Sequence, residues 1–422
     1  MYNGKVLNRS KNSCPKLYIR AENIYLYDDN GNQIIDGCSN SMNVNLGYSQ
    51  HKIVESMANQ AKLLPFVHNK KGTTKIQEVL AKELSALVAN QYMCYFCSNG
   101  SDAIETAMRI AYQYQVSKNN LSKNKFLSWS GSYHGSSLGA LSVTGNDLII
   151  SKYKNYIVDY PKLKFPDCKN CRVSKCELNC LKKLKQNSSE NIAGMVVDGM
   201  LTNCFGSKMP PTNYMEELQK ICREKDILII VDEIATSIGR TGKNFCYEYF
   251  NGFSPDIICL SKGIGVGYTN LGAVLISNKV IDSISDDKDF LGHTYNGNPI
   301  SCAGGLAALQ IINKDGILQN VNDREKELVN YLNTWKMNEG IKDINGKGLM
   351  YSIEFNKKIL GNDFIDRINE TSLENGLLLL SANLKNSMHI TIAPPLIIDR
   401  QQLSQLCDCL DCVLKKVLQD KK

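Results

Sequence analysis

Apolar residues in this chain fall into short unbroken runs separated by longer amphipathic stretches. Gly194-Met-Val-Val-Asp198, Ile227 to Asp232, Ile257 to Ser261 and Gly272-Ala-Val-Leu-Ile276 are such runs. Their length and β-branched content predict strands buried on both faces. Helical spacing predominates elsewhere, as over Ala103 to Tyr114 and Ser301 to Ile312. From about residue 70 to 300 the two patterns alternate, which predicts an α/β fold: a mainly parallel sheet covered by helices. Nearer the N-terminus, Ile24-Tyr-Leu-Tyr-Asp28 and Gln33-Ile-Ile-Asp36 flank the turn Asp29-Asn-Gly31-Asn32, a hairpin signal. After about residue 310 the pattern changes to a helix near Glu325 to Trp335, strands such as Leu349 to Phe355, and a terminal helix from about Gln401. These shifts predict an N-terminal arm over 1–65 that contributes to the small domain, a large domain over 66–310 and a small C-terminal α/β domain over 311–422.

Composition narrows the function classes. A chain of 422 residues that is 43% hydrophobic can build a large core with a smaller second one. The net charge of +7 is mild for this length, and no Lys/Arg run is interleaved with aromatics. Nucleic acid is therefore not the expected partner, and the basic excess could equally attract anionic substrates. No apolar stretch approaches the ~18 residues of a membrane span. Residues Met1 to Arg20 are polar and lack the apolar core of a signal peptide. The 16 cysteines are mostly scattered through strand-like or helical runs. The expected setting is a reducing cytoplasm with free thiols.

Chemistry enters at the ends of the apolar runs. The run Ile227 to Val231 ends in Asp232-Glu233, and Pro255-Asp-Ile-Ile-Cys-Leu-Ser261 ends in Lys262-Gly263. Parallel strands offering an aspartate and a lysine at their C-terminal ends can hold pyridoxal 5'-phosphate. Lysine forms the Schiff base and aspartate pairs with the pyridinium nitrogen. Cys97-Ser-Asn-Gly100-Ser101-Asp102 opens a helical stretch, where small residues and free N–H groups suit an anion; a plain N-cap uses the same residues. In Trp129-Ser-Gly-Ser-Tyr133-His134-Gly135, Tyr133 suits stacking on a flat heterocycle and His134 suits support from behind, although an aromatic beside a turn is ordinary packing. Thr294, in Gly292-His-Thr-Tyr-Asn-Gly-Asn-Pro299, is a hydroxyl donor ahead of a helix.

Together, the order and spacing of these pieces resemble a class III aminotransferase of fold type I. The resemblance runs from about Leu26 to Leu396. It rests on Ser98-Asn-Gly-Ser-Asp102, Tyr133-His-Gly135, Val231-Asp-Glu-Ile234, Gly239-Arg-Thr-Gly242, Pro255-Asp-Ile257, Ser261-Lys-Gly263, His293-Thr-Tyr295, Gly297-Asn-Pro299 and Ala393-Pro-Pro-Leu396. It implies a mainly parallel sheet of the seven-stranded type and a smaller C-terminal domain. Lys262 would be the Schiff-base lysine and proton carrier, with Asp232 on the pyridinium nitrogen. Gly100 and Ser101 would hold the phosphate, and Tyr133, backed by His134, would stack on the ring. Thr294 would reach the phosphate of the neighbouring subunit, making a homodimer with shared active sites. Glu233 would shape the substrate side.

Three departures bear on substrate. Many family members carry Arg three residues before the Pro-Pro pair, gripping a carboxylate with a fork of donors; here that place is Thr391. Ala235 replaces a frequent Gln, and Asp198-Gly199 replaces Glu-Pro. The expected reaction moves an amino group between a small-molecule amine donor, L-glutamate being favoured by the family, and a carbonyl acceptor. The lost arginine suits a bulky hydroxylated acceptor, such as an oxidised amino sugar of the aminoglycoside antibiotic kind. The alternatives are a transaminase of diamines or ω-amino acids and a glutamate-1-semialdehyde-type aminomutase. Separately, Cys168, Cys171, Cys176 and Cys180 lie in a hydrophilic insertion spanning Phe165 to Lys185. Four converging thiols would bind zinc or an iron–sulfur cluster; the bland reading is a loop of reduced thiols.

Overall fold

The computed structural model describes residues 16–89, 91–171, 176–185, 190–202, 206–285, 291–384 and 387–419. The N-terminal strands are β1 (Tyr18–Glu22), β2 (Tyr25–Asp28) and β3 (Gln33–Asp36). β2 and β3 form the hairpin expected from the Asp29-Asn-Gly-Asn32 turn. The central strands are β4 (Tyr92–Cys97), β5 (Lys125–Trp129), β6 (Lys162–Leu163), β7 (Ile192–Asp198), β8 (Leu228–Asp232), β9 (Ile257–Leu260) and β10 (Gly272–Ser277). They form one seven-stranded sheet in the order β4-β10-β9-β8-β7-β5-β6. Parallel pairing runs from β9 to β6, while β10 is antiparallel to both its neighbours. Every residue of β7, β8 and β9 is buried, which explains why their sequences are continuous apolar runs rather than alternating ones.

Helices cover this sheet. Gly100–Ser117 lays Ala103, Ile104, Ala107, Ile110 and Ala111 on its core side and packs against β7 to β10. Its start is set by Asn99, whose side-chain oxygen accepts from the amide of Asp102 at 3.1 Å. Pro299–Lys314 starts on Asn298, with proline at the first helical position, where its missing N–H costs nothing.

Toward the C-terminus lie β11 (Ile341–Gly346), β12 (Tyr351–Phe355), β13 (Leu377–Leu378), β14 (Leu380–Asn383) and β15 (Met388–Ile392). β11-β12-β15-β14 form an antiparallel sheet, whereas β13 joins β3 in parallel. The N-terminal hairpin is thus closed by a segment some 340 positions away, with Leu377 paired to Ile35. The terminal helix Arg400–Gln419 buries Leu403, Leu406, Leu410, Leu414 and Leu418. Cys407 of the same helix is buried there as a small apolar group. All cysteines among the described residues are free.

Candidate active site

The C-terminal ends of β5, β7, β8 and β9 point the same way, and the residues that follow them line a cavity of about 370 Å3. This is where parallel α/β sheets place ligands. Tyr133 and His134 come after β5, Asp198 ends β7, Asp232 ends β8, and Lys262 follows β9. Ser98 and Asn99 enter from the loop after β4, and Gly100 and Ser101 from the first turn of the helix that follows.

Lys262 has φ +24°, a left-handed backbone that a lysine adopts only when its surroundings impose it. Enclosure lowers its ammonium to about 8, against the pull of Asp232 and with repulsion from Arg240. Roughly a tenth of its population is therefore neutral amine at pH 7, far more than for an ordinary lysine. Asp232 is held from both sides. Its Oδ1 accepts the amide of Ile234 at 3.0 Å, and its Oδ2 lies 2.8 Å from His134 Nδ1. His134 is buried, and its Nε2 faces Asp198 Oδ2 at 3.7 Å. Burial alone would lower the His134 imidazole; Asp198 and Asp232 override it and hold it above its ordinary value.

At the helix start, a Cβ on Gly100 would come within 3.0 Å of Ile234, another wall of the cavity. Gly135 has φ +143°, and a Cβ there would come within 2.5 Å of Ser101 Oγ. Only glycine allows the two loops to close together here. Ser101 Oγ in turn accepts the amide of Ser136 at 3.2 Å. These residues fit pyridoxal 5'-phosphate: a half-buried lysine amine, a fixed buried carboxylate, a half-buried tyrosine ring and a helix N-terminus all open on one cavity.

Several residues fall elsewhere. Thr294 is exposed and does not line the cavity. Glu233, expected on the substrate side, turns inward: its carboxylate accepts from Thr236 Oγ1 and the Tyr247 amide. With every oxygen directed into the protein it shapes no open surface, and burial pushes it up to about 7. Thr391, expected to face the substrate, is also buried outside the cavity lining. Its hydroxyl lies 3.0 Å from Ser352 Oγ, which lies 2.8 Å from Ser207 Oγ. Of the four cysteines of the insertion, Cys168, Cys171 and Cys176 are exposed and Cys180 is half-buried; burial and the neighbouring thiols raise Cys168 and Cys180, but the four sulfurs do not all come within 4.8 Å of one another. Among the described residues, the group of three or more His, Cys and acidic side chains with ligand atoms within 4.8 Å is His134, Asp198 and Asp232. Residues 172–175 of the insertion lie outside the described residues.

Other cavity residues carried no local motif. Asn40, Ser41 and Asn43 line one wall from a left-handed turn in which Ser39 to Met42 all have positive φ. Asp36 holds this turn by accepting the amides of Cys38 and Asn40 and the hydroxyl of Tyr48. Asp198 did have a signal, since it ends an apolar run just as Asp232 does.

The model of the family described as aminotransferase class-III matches residues 6–414. The chain belongs to the class III aminotransferases. It is a transaminase of fold type I, and pyridoxal 5'-phosphate is its cofactor. It is 30% identical to the adenosylmethionine-8-amino-7-oxononanoate aminotransferase of Methanocaldococcus jannaschii over 94% of this chain and 92% of that one. It is 28% identical to the putrescine aminotransferase of Pectobacterium atrosepticum over 93% of this chain and 81% of that one. Among solved structures, an amine transaminase from an uncultivated Pseudomonas species, determined with PLP bound, superposes with a TM-score of 0.90. That match covers 98% of this chain and 99% of the other at 26% identity. Among the described residues no helix is long and apolar enough to cross a membrane.

Proposed function

We propose that this class III aminotransferase takes an amino group from L-glutamate and passes it to an uncharged, hydroxyl-rich carbonyl compound, an oxidised amino sugar being the best fit. One observation carries this reading: the cavity wall has no arginine among the described residues. Its lining instead includes Asn40, Ser41, Asn43 and Thr202, neutral groups that both donate and accept. A polyol finds partners there for each hydroxyl, while the carboxylates of the L-glutamate donor meet single donors rather than a fork, so that donor needs a cation other than Lys262, from outside this lining.

Bound pyridoxal 5'-phosphate supplies an electron sink. In this reading Lys262 would hold the cofactor covalently, and its Nζ would be the group that takes up and returns a proton beside it. Asp232 keeps the ring nitrogen protonated. Gly100 and Ser101 hold the phosphate at the helix N-terminus, and Tyr133 covers one ring face. Thr294, exposed in the single chain, reaches the phosphate of a second copy, so that the working unit is a homodimer with shared sites.

A second reading, a diamine or ω-amino acid transaminase, draws on the similarity to a putrescine aminotransferase. The deciding experiment follows the visible absorbance of the lysine-bound cofactor while single amines are added. Bleaching by an amino sugar and by L-glutamate supports the first reading. Bleaching by putrescine or 4-aminobutyrate, without response to the amino sugar, replaces it with the second.

A further inference from the structure

Asp198 and Asp232 stand in register at the ends of the adjacent parallel strands β7 and β8. Residues in register on parallel strands project to the same face of the sheet. His134 is wedged between the two carboxyls, with Nδ1 2.8 Å from Asp232 and Nε2 3.7 Å from Asp198. All three side chains are buried. Among the described residues His134 Nε2 and Asp198 Oδ2 have no hydrogen-bond partner; they face each other at ion-pair distance, 3.7 Å, a costly arrangement unless a small closure lets the two serve each other.

We propose that Asp198 is a positioning residue for the cofactor: it holds a proton against His134 Nε2, which keeps Nδ1–H aimed at Asp232 and Asp232 oriented for the ring nitrogen. This rests on Asp232 being the partner of that nitrogen.

The argument is one of proton placement. For Nδ1 to donate to Asp232, a neutral imidazole must leave Nε2 bare, which requires a protonated Asp198 facing it. A cationic imidazole carries hydrogen on both nitrogens and requires an ionised Asp198. In both cases one proton belongs to the pair Nε2 and Oδ2, which must close from 3.7 Å to hydrogen-bond distance to share it, and the trio carries a net charge of minus one. That charge balances a protonated pyridine ring. Without a partner at position 198, the imidazole is free to place its hydrogen on Nε2 and turn a lone pair toward Asp232, which repels it. The other charged groups facing the trio do not substitute: Lys262 acts on Asp232, and the remaining two have partners of their own. Glu233 is committed to Thr236 and the Tyr247 amide. Lys162 is committed to the carbonyls of Ser142 and Tyr160. Burial, with Asp232 and Glu233 nearby, pushes the Asp198 carboxyl up to about 8, consistent with a proton retained in this cluster.

The test compares wild-type holoenzyme with Asp198→Leu and Asp198→Asn by two readouts independent of turnover. Retention of pyridoxal 5'-phosphate on dilution measures the grip on the ring. The downfield imidazole N–H resonances of His134 report the proton itself. The proposal expects Asp198→Leu to weaken retention about tenfold, the equivalent of one pKa unit at the ring nitrogen, and to remove or shift the Nε2–H signal. Asp198→Asn, which can still offer an N–H to Nε2, should lie between. If Asp198→Leu does not fold, Asp198→Asn decides alone through an altered imidazole signal and weaker retention. Variants that keep both signals and retain cofactor within twofold of wild type overturn the proposal. An Asp232→Asn variant that retains pyridoxal 5'-phosphate within twofold of wild type overturns instead the assignment of Asp232 on which the proposal rests.

Discussion

An amine attacks a carbonyl carbon only through its lone pair, so the state of Lys262 governs how fast the cofactor is taken up. With the ammonium lowered to about 8, the rate at which apoenzyme captures pyridoxal 5'-phosphate should rise with pH through a midpoint near that value; stopped-flow absorbance checks this, and Lys262→Ala should give no band. The buried acids act in the opposite direction on stability. Asp198 and Glu233 have folded values of about 8 and about 7, above their ordinary 3.8 and 4.5. Between those limits the folded state binds more protons than the unfolded one. The stability they contribute is therefore complete below the ordinary values and is lost as pH rises through the folded ones. Urea midpoints of the apoenzyme should decline over that window, and Glu233→Gln should flatten the part ending near pH 7. Thr391 gives a negative prediction: Thr391→Arg should not improve the KM for glutamate. Position 391 lies in the Ser207–Ser352–Thr391 hydroxyl chain away from the cavity, and a buried unpaired guanidinium should lower stability instead.

At the level of elements, the site depends on how loops are tied at the ends of strands. The Asn99 cap fixes where the helix Gly100–Ser117 begins and so which amides face the anion; Asn99→Ala should cost about 1 kcal/mol of unfolding free energy and loosen phosphate-dependent cofactor binding. Arg240 is fully buried and donates to the carbonyls of Leu349 and Pro394, to Ser39 Oγ and to Asn45 Oδ1. It binds the left-handed turn at Ser39–Met42 to segments more than 300 positions away. Arg240→Met leaves these acceptors without a donor and should cost at least about 3 kcal/mol, read from denaturant unfolding. Most elements were legible. The runs ending at Asp198, Asp232 and Ser261 became β7, β8 and β9, and the spacing over Ala103 to Tyr114 became the helix Gly100–Ser117, because a buried parallel strand and an amphipathic helix have different periods. The antiparallel course of β10 was not legible, since a central strand buries the same residues in either direction.

For the molecule as a whole, the exposed position of Thr294 is the feature a single chain leaves open. If a second copy supplies it, Lys262→Ala and Thr294→Val should complement each other. Subunits mixed after dissociation would place one intact site in each mixed dimer, restoring up to about a quarter of wild-type activity for random pairing; no gain over the separate variants would mean the sites are not shared. The sequence by itself determined the alternation of strand and helix, the lysine and aspartate at strand ends, and the small residues at the helix start. Each of these is a local demand of burial, backbone conformation or chemistry, and leaves its mark on neighbouring residues. Only the tertiary structure decided that Asp198 and Asp232 share His134, that Asn40, Ser41 and Asn43 wall the cavity, and that Glu233 and Thr391 turn away from it. These depend on strand register and on contacts between segments far apart in the chain, and no local pattern encodes which side of a packed strand end faces open space.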